Sequence, residues 1–342
     1  MIETPTNTDA TIFRLRKTAV AALGLLLALA AASGCKRAEK PAAAGALAPP
    51  SAGAAAVPTP APAADAPPVI RDSAETGKAP WAGLAEPRGL ALDGRGRLWV
   101  ADFGHSRIAI FDNGGGSLGG WGGVRGNGQY QLQDPADVAI HGEDVYVADT
   151  WNGRVQHFTT SGQFRQTAAA ELYGPRGVTV ASDGVVWVAD SGNNRLALLL
   201  AGQPVRFVGK AGAGADGLLS PVGIAAGPSH VYVADVGNHR IQELGLDGKF
   251  QRSIPVAAWK ETMEPYIATD DKENLFVSVP AGSAVLELDR SGKVLHKWDT
   301  DDAGKKLLKP SGLALDAKNG ILYVADAAAN AVATIHVAGK KP

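Results

Sequence analysis

From residue 87 onward, apolar and polar side chains alternate in short runs, as in Leu90-Ala-Leu-Asp93 and Arg240-Ile-Gln-Glu-Leu244. A period of two with β-branched and aromatic residues predicts strands. Between the runs lie turns rich in Gly, Asn and Asp, such as Gly237-Asn238-His239. No helical period of useful length follows the N-terminal apolar run. One short word returns along the chain: Leu98-Trp-Val-Ala-Asp102, Val145-Tyr-Val-Ala-Asp149, Val186-Trp-Val-Ala-Asp190, Val231-Tyr-Val-Ala-Asp235 and Leu322-Tyr-Val-Ala-Asp326. Leu275-Phe-Val-Ser-Val279 is a degenerate sixth copy. About a dozen residues before each stands a proline: Pro87, Pro135, Pro175, Pro221, Pro265 and Pro310. Their mean spacing of about 45 residues marks a propeller or a solenoid. Four short strands per unit make a propeller blade, so the pattern predicts an all-β, six-bladed β-propeller over 69–342. The sixth unit lacks a fourth strand. The stretch Val69-Ile70-Arg71 is therefore expected to supply it, closing the ring so that no sheet edge stays open.

Upstream the pattern changes. Arg14, Arg16 and Lys17 precede the apolar run Thr18–Ala32, which ends at Ser33-Gly34-Cys35. Fifteen helical residues rise roughly 22 Å, short of a bilayer core of about 30 Å. Basic, then apolar, then small is the order of an export signal, expected here over 1–34. The close of the run, Ala32-Ser33-Gly34-Cys35, resembles a bacterial lipobox, with Ala32 where Leu is usual. The resemblance implies lipidation of Cys35, and Lys36 after it points to the outer membrane. From Pro41 to Pro68, 13 of 28 residues are Ala and 8 are Pro. Such a stretch has no amphipathic period, and 35–68 reads as a lipidated Cys followed by a disordered tether. Extended, it would span roughly 100 Å.

Composition then narrows the chemistry. The 342 residues hold 33 Lys and Arg against 34 Asp and Glu. A net charge of -1 gives no electrostatic reason for a nucleic-acid partner. Cys35 is the single cysteine, which excludes an intramolecular disulfide and a thiolate metal site. No Ser-His-Asp or Cys-His arrangement is apparent.

The full repeat, with Pro221-Val-Gly-Ile224 and Val233-Ala-Asp235-Val-Gly-Asn-His-Arg240-Ile241 as its best copies, closely resembles the NHL repeat. The resemblance covers about Val69 to Gly339. It implies the propeller fold but leaves function open, because one fold hosts enzymes, scaffolds and RNA binders. The peptidyl-hydroxyglycine amidating lyases of this repeat class use histidine-bound zinc at the channel mouth, with His after the blade-opening Pro. Here those six positions are Arg88, Ala136, Arg176, Val222, Tyr266 and Ser311. None is His. His105 and His239 fall in blades one and four, on opposite sides of a six-fold ring, too far apart for one zinc ion. No metal or cofactor is therefore expected.

Residues that recur from blade to blade read as scaffold. Asp102, Asp149, Asp190 and Asp235 each have an Arg five residues on, Arg107, Arg154, Arg195 and Arg240. Each Asp is expected to accept bonds from its turn amides and to pair with the Arg at a blade seam. Blade five has Ser278 and Ser283 instead, and blade six has Asp326 with Ala331, so these two blades should open more easily. The shared aromatics Trp99, Tyr146, Trp187, Tyr232, Phe276 and Tyr323 read as packing between blades. Residues that differ between blades are the better binding candidates. Arg88, Arg176, Tyr266, Trp151, His105 and His239 should share one face and suit an anionic or planar ligand, or a peptide. The expectation is a monomeric, envelope-anchored module for a protein or peptide partner. The alternative is a metal-dependent, lyase- or lactonase-like enzyme working at the channel mouth.

Overall fold

The computed structural model describes residues 69–74, 79–169, 171–259 and 263–337. The export signal of 1–34, Cys35 and the tether of 35–68 lie outside the described residues. The described chain is an all-β, six-bladed propeller in which every blade is an antiparallel meander. Blade one runs Pro87–Leu92, Leu98–Asp102, Arg107–Phe111 and Ser117–Gly122 from the channel outwards. Blades two to five repeat this order from inner strands Pro135–His141, Pro175–Val180, Pro221–Ala226 and Ile267–Thr269. Blade six has three described strands, Pro310–Asp316, Ile321–Asp326 and Ala331–His336.

The word that repeats in the sequence is the second strand of each blade. Its alternate side chains face opposite neighbours, so both faces are buried. The result is a core in six parts, one hydrophobic cluster at each seam. Each seam receives one aromatic from the shared position, from Trp99 between blades one and two to Tyr323 between blades six and one. Tyr146 alone of this set is only half-buried, and it stacks on His157 with ring centroids 4.5 Å apart. Single 3₁₀ turns join second to third strands in blades one to five. Each ends on a left-handed residue, such as Gly153 at φ 62° or His239 at φ 54°.

Ring closure differs from the sequence expectation. Val69–Ile70 does not complete blade six. It adds a fifth strand to blade one, with Val69 opposite Gly120 and Ile70 opposite Gly119. The cause lies in Ser117–Gly122, whose glycines leave room at that edge. A Cβ on Gly119 would stand 2.1 Å from the Val69 carbonyl oxygen. Closure between blades one and six comes from packing instead. Trp81 lies against Phe111 and Tyr323, with centroids 5.4 and 6.0 Å away. Across the same seam Ser311 Oγ donates to the Pro87 carbonyl at 2.9 Å, and Glu86 N donates to Asn330 Oδ1 at 2.8 Å.

Candidate functional site

The repeated Asp residues are fully buried at the ends of the second strands. In each, Oδ1 accepts the amide two residues before that blade's Pro. The donors are Ala85, Gln133, Tyr173 and Leu219, all at 2.7 Å. Oδ2 accepts the Arg Nε five residues on, at 2.6 Å from Arg107, 2.8 Å from Arg154, and 2.7 Å from both Arg195 and Arg240. Asn152, Asn193 and Asn238 donate to the same oxygen in blades two to four, and His105 takes that place in blade one. The Asp therefore holds the segment entering the blade, and in these four blades its side chain does not cap the following turn. The reason is geometric: the entering amide lies beside the strand end, while the turn closes through its own backbone. The Arg continues the tie. Arg154 reaches the Gly128 and Gln131 carbonyls, and Arg240 those of Gly214 and Gly217. Arg195 instead lies over the Phe207 ring at 3.6 Å. For Asp149, burial raises the carboxyl pKa and these bonds oppose the rise.

The residues after the six prolines surround the channel mouth, but they do not form an open site. Ala136, Val222, Tyr266 and Ser311 are buried. Tyr266 was expected to offer its ring to a ligand; instead its hydroxyl donates to the Ala136 carbonyl at 2.7 Å, so the side chain spans from blade five to blade two. Glu264 lies between the two arginines. Its Oε1 is 2.6 Å from Arg176 Nη1, and its Oε2 pairs with Arg88. The Arg88 guanidinium also covers the Phe103 ring at 3.7 Å. Burial lowers the pKa of both arginines, and for Arg176 the charge of Arg88 lowers it further. Two like charges in a poorly solvated place need an anion, and Glu264 provides it.

Below the plug, the inner strands enclose a cavity of about 310 Å³ whose lining includes Tyr266 and Asp137. Asp137 stands where Gly89, Gly177, Gly223 and Gly312 occupy the same place in other blades. A Cβ on Gly89 would stand 1.8 Å from its Oδ1, so blade one must be glycine there for Asp137 to fit. Its oxygens accept the Val138 and Val178 amides, each at 2.9 Å. Burial nevertheless pushes its pKa well above the usual carboxylate range. The Tyr266 hydroxyl is pushed up by burial and by the neighbouring Asp137.

Around the mouth, on the turn side, His105, Trp151 and His239 are exposed. So are Tyr173, Leu219 and Leu308, each beside the amides that the seam aspartates hold. Sequence reasoning did not single out these three, nor Glu264 or Asp137. Asp137 had a signal, because it breaks the Pro-x-Gly rhythm. Among the described residues, no group of three or more His, Cys, Asp and Glu converges in the manner of metal ligands.

The family model of the NHL repeat matches residues 84–111, 132–158 and 172–197, which fall in blades one to three. These three blades match the NHL repeat. The chain is similar to the E3 ubiquitin-protein ligase NHLRC1 of Rattus norvegicus, 32% identical over 126 residues, covering 36% of this chain and 32% of that protein. The Homo sapiens protein is 31% identical over 121 residues, covering 35% and 30%. The chain thus spans about a third of the length of the curated relatives it matches. Among solved structures, the propeller resembles a gluconolactonase from Xanthomonas campestris, with TM-score 0.59, 16% identity, and coverage of 79% of this chain and 94% of that one. It also resembles virginiamycin B lyase from Staphylococcus aureus with quinupristin, at TM-score 0.52 and 14% identity, covering 74% and 85%. An auxiliary nutrient binding protein from Bacteroides thetaiotaomicron aligns with TM-score 0.58 and 10% identity, covering 74% and 69%. At such identities the likeness is one of fold, and the fold serves enzymes and binding proteins alike.

Proposed function

We propose that this protein is a lipid-anchored, extracytoplasmic docking module whose turn-side face binds a protein or peptide partner in the cell envelope. One observation carries the reading: the channel mouth is filled from within. Tyr266 spans it and Glu264 pairs with both arginines, which leaves little room there for a small substrate. The surrounding collar is the exposed surface. Trp151 is 49% exposed, Leu219 41% and Leu308 51%, and such apolar side chains amid polar neighbours suit a protein interface. The lipobox-like sequence at Cys35 and the Ala/Pro tether would hold this face away from an outer membrane. The domain acts as a monomer in this reading, without nucleic acid.

The test is capture from envelope extracts by the purified propeller and by Trp151→Ala. A partner retained by the parent and lost by the variant supports docking; identical capture would contradict it. Labelling with a radioactive fatty acid tests the anchor, and Cys35→Ser should abolish the label. A second reading, a lyase- or lactonase-like enzyme, draws on the cavity with its buried Asp137. Perturbed carboxyls of this kind serve acid–base chemistry. It places catalysis inside the channel instead of at the mouth, and turnover of a lactone panel that disappears in Asp137→Ala would favour it.

A further inference from the structure

The Arg88–Glu264–Arg176 arrangement has the geometry of a bound carboxylate. Each guanidinium takes one oxygen of the same carboxyl group, the geometry that arginine pairs use to hold carboxylates. Two cations share one directly paired anion, and the carboxylates of Glu86 and Asp134 act on Arg88 from farther off. Neither arginine can shed its charge readily; burial lowers the pKa of both, and Arg88 is the more enclosed of the two. The pair would therefore hold some anion whether or not Glu264 provided it.

The backbone around Glu264 departs from that of blades one to four. Before their opening prolines, Glu86, Asp134, Gly174 and Ser220 take left-handed φ values of 45°, 53°, 59° and 48°. Asp134 is thereby turned to Ser106 and Arg125, away from the mouth. Glu264 is not left-handed, and its side chain reaches the mouth. It precedes the shortest inner strand, Ile267–Thr269, and lies in no strand itself. Tyr266 is held separately, by Ser278 Oγ at its amide and Ala136 at its hydroxyl. Glu264 can thus swing out without unpairing a strand or moving the plug beneath it.

We propose that the Arg88–Arg176 pair is a binding site for the carboxylate of a peptide ligand, and that Glu264 fills it as an internal stand-in until that ligand displaces it. The inference rests on the docking reading above and names the chemical group that the mouth takes. The exposed Trp151 and Leu219 on the same side provide a surface for the apolar body of such a ligand. The carboxylate could be a chain terminus or an acidic side chain, and both offer the same two oxygens.

Isothermal titration of the wild type, Glu264→Gln and Arg176→Ala/Glu264→Gln decides it. Three probes serve: N-acetylphenylalanine for a terminal carboxylate, N-acetyl-aspartyl-phenylalaninamide for a side-chain carboxylate, and N-acetylphenylalaninamide as the uncharged control. An internal competitor acts at an effective concentration in the millimolar range or above, so removing it should tighten carboxylate binding by about tenfold or more. The double variant should lose that gain, and the control should bind none of the proteins. Whichever carboxylate probe gains more identifies the source. Glu264→Ala provides the same comparison if the glutamine variant fails to fold. The proposal is overturned if removing Glu264 leaves affinity unchanged, or if the uncharged amide gains as much as the acids. If carboxylate binding fails while Trp151→Ala still abolishes partner capture, this proposal falls and the docking reading stands.

Discussion

Blades one to four and blades five and six use the same strand pattern but fasten it differently. In the first four, a buried Asp ties the entering amide to an Arg, and the Arg or its neighbours tie the linker. In blade five, Ser278 Oγ accepts the Tyr266 amide in place of the carboxylate. In blade six, Asp326 holds the Leu308 and Lys309 amides and the turn amide of Ala329, but Ala331 stands where the Arg would be. The difference separates two roles for repeat residues. Where the pattern is kept, side chains hold the ring together. Where it breaks, at Asp137, Glu264 and Tyr266, side chains turn into the channel and its mouth.

The largest effect should come from removing a seam carboxylate. Asp235→Ala leaves the Leu219 amide, Asn238 and Arg240 short of an acceptor. Breaking a buried pair on one side costs about 3 kcal/mol, or roughly 6–12 °C in Tm for a domain of this size. Arg240→Ala should cost less, about 1–2 kcal/mol, because the Asp keeps two donors and the arginine is partly solvated. Calorimetry on both variants checks the order; equal losses would mean that the arginine, not the amide clamp, fixes the seam.

Deleting Val69–Ile70 comes next. Had these residues closed the ring, their loss would lower Tm sharply. As an outermost fifth strand of two residues on blade one, they should contribute about 1 kcal/mol, mostly through the partly buried Ile70. A fall of more than roughly 10 °C would restore the closing role.

Asp137 should make stability depend on pH, and the sign of that dependence is fixed by burial. A carboxyl whose folded pKa is raised binds more protons in the folded state than in the unfolded chain. Its contribution is best below the unfolded pKa and is lost as pH rises through the folded value. Relative to Asp137→Gly, which restores the residue of four other blades, the wild type should gain stability as pH falls toward the ordinary Asp pKa of about 4. Denaturant midpoints of both proteins across that range measure it; a constant difference would show that Asp137 titrates normally.

The fold was legible because each blade repeats the same local instructions. The strands, the prolines that open each blade and the aspartate–arginine spacing all carry a period that one sequence displays. What stayed hidden lacks a period. Whether the residue before a proline turns outward, as Asp134 does, or inward, as Glu264 does, depends on a backbone angle that its side chain does not announce. The exposure of Tyr173 and Leu219 follows from the amide clamp beside them, a tertiary feature. The pairing of Val69–Ile70 depended on glycines in a strand about 50 residues away, where the unfinished last blade offered a simpler partner. Among the mouth residues, Arg88 and Arg176 were identifiable, but their occupancy by Glu264 was not.

The most direct test of the comparison is native-state hydrogen exchange, resolved by peptide over the second and third strands of each blade. With the amide clamp and arginine tie present, 98–111, 145–159, 186–199 and 231–245 should exchange more slowly than 275–288 and 321–336. Equal protection in all six blades would contradict the claim that the repeated aspartate–arginine pairs hold the ring.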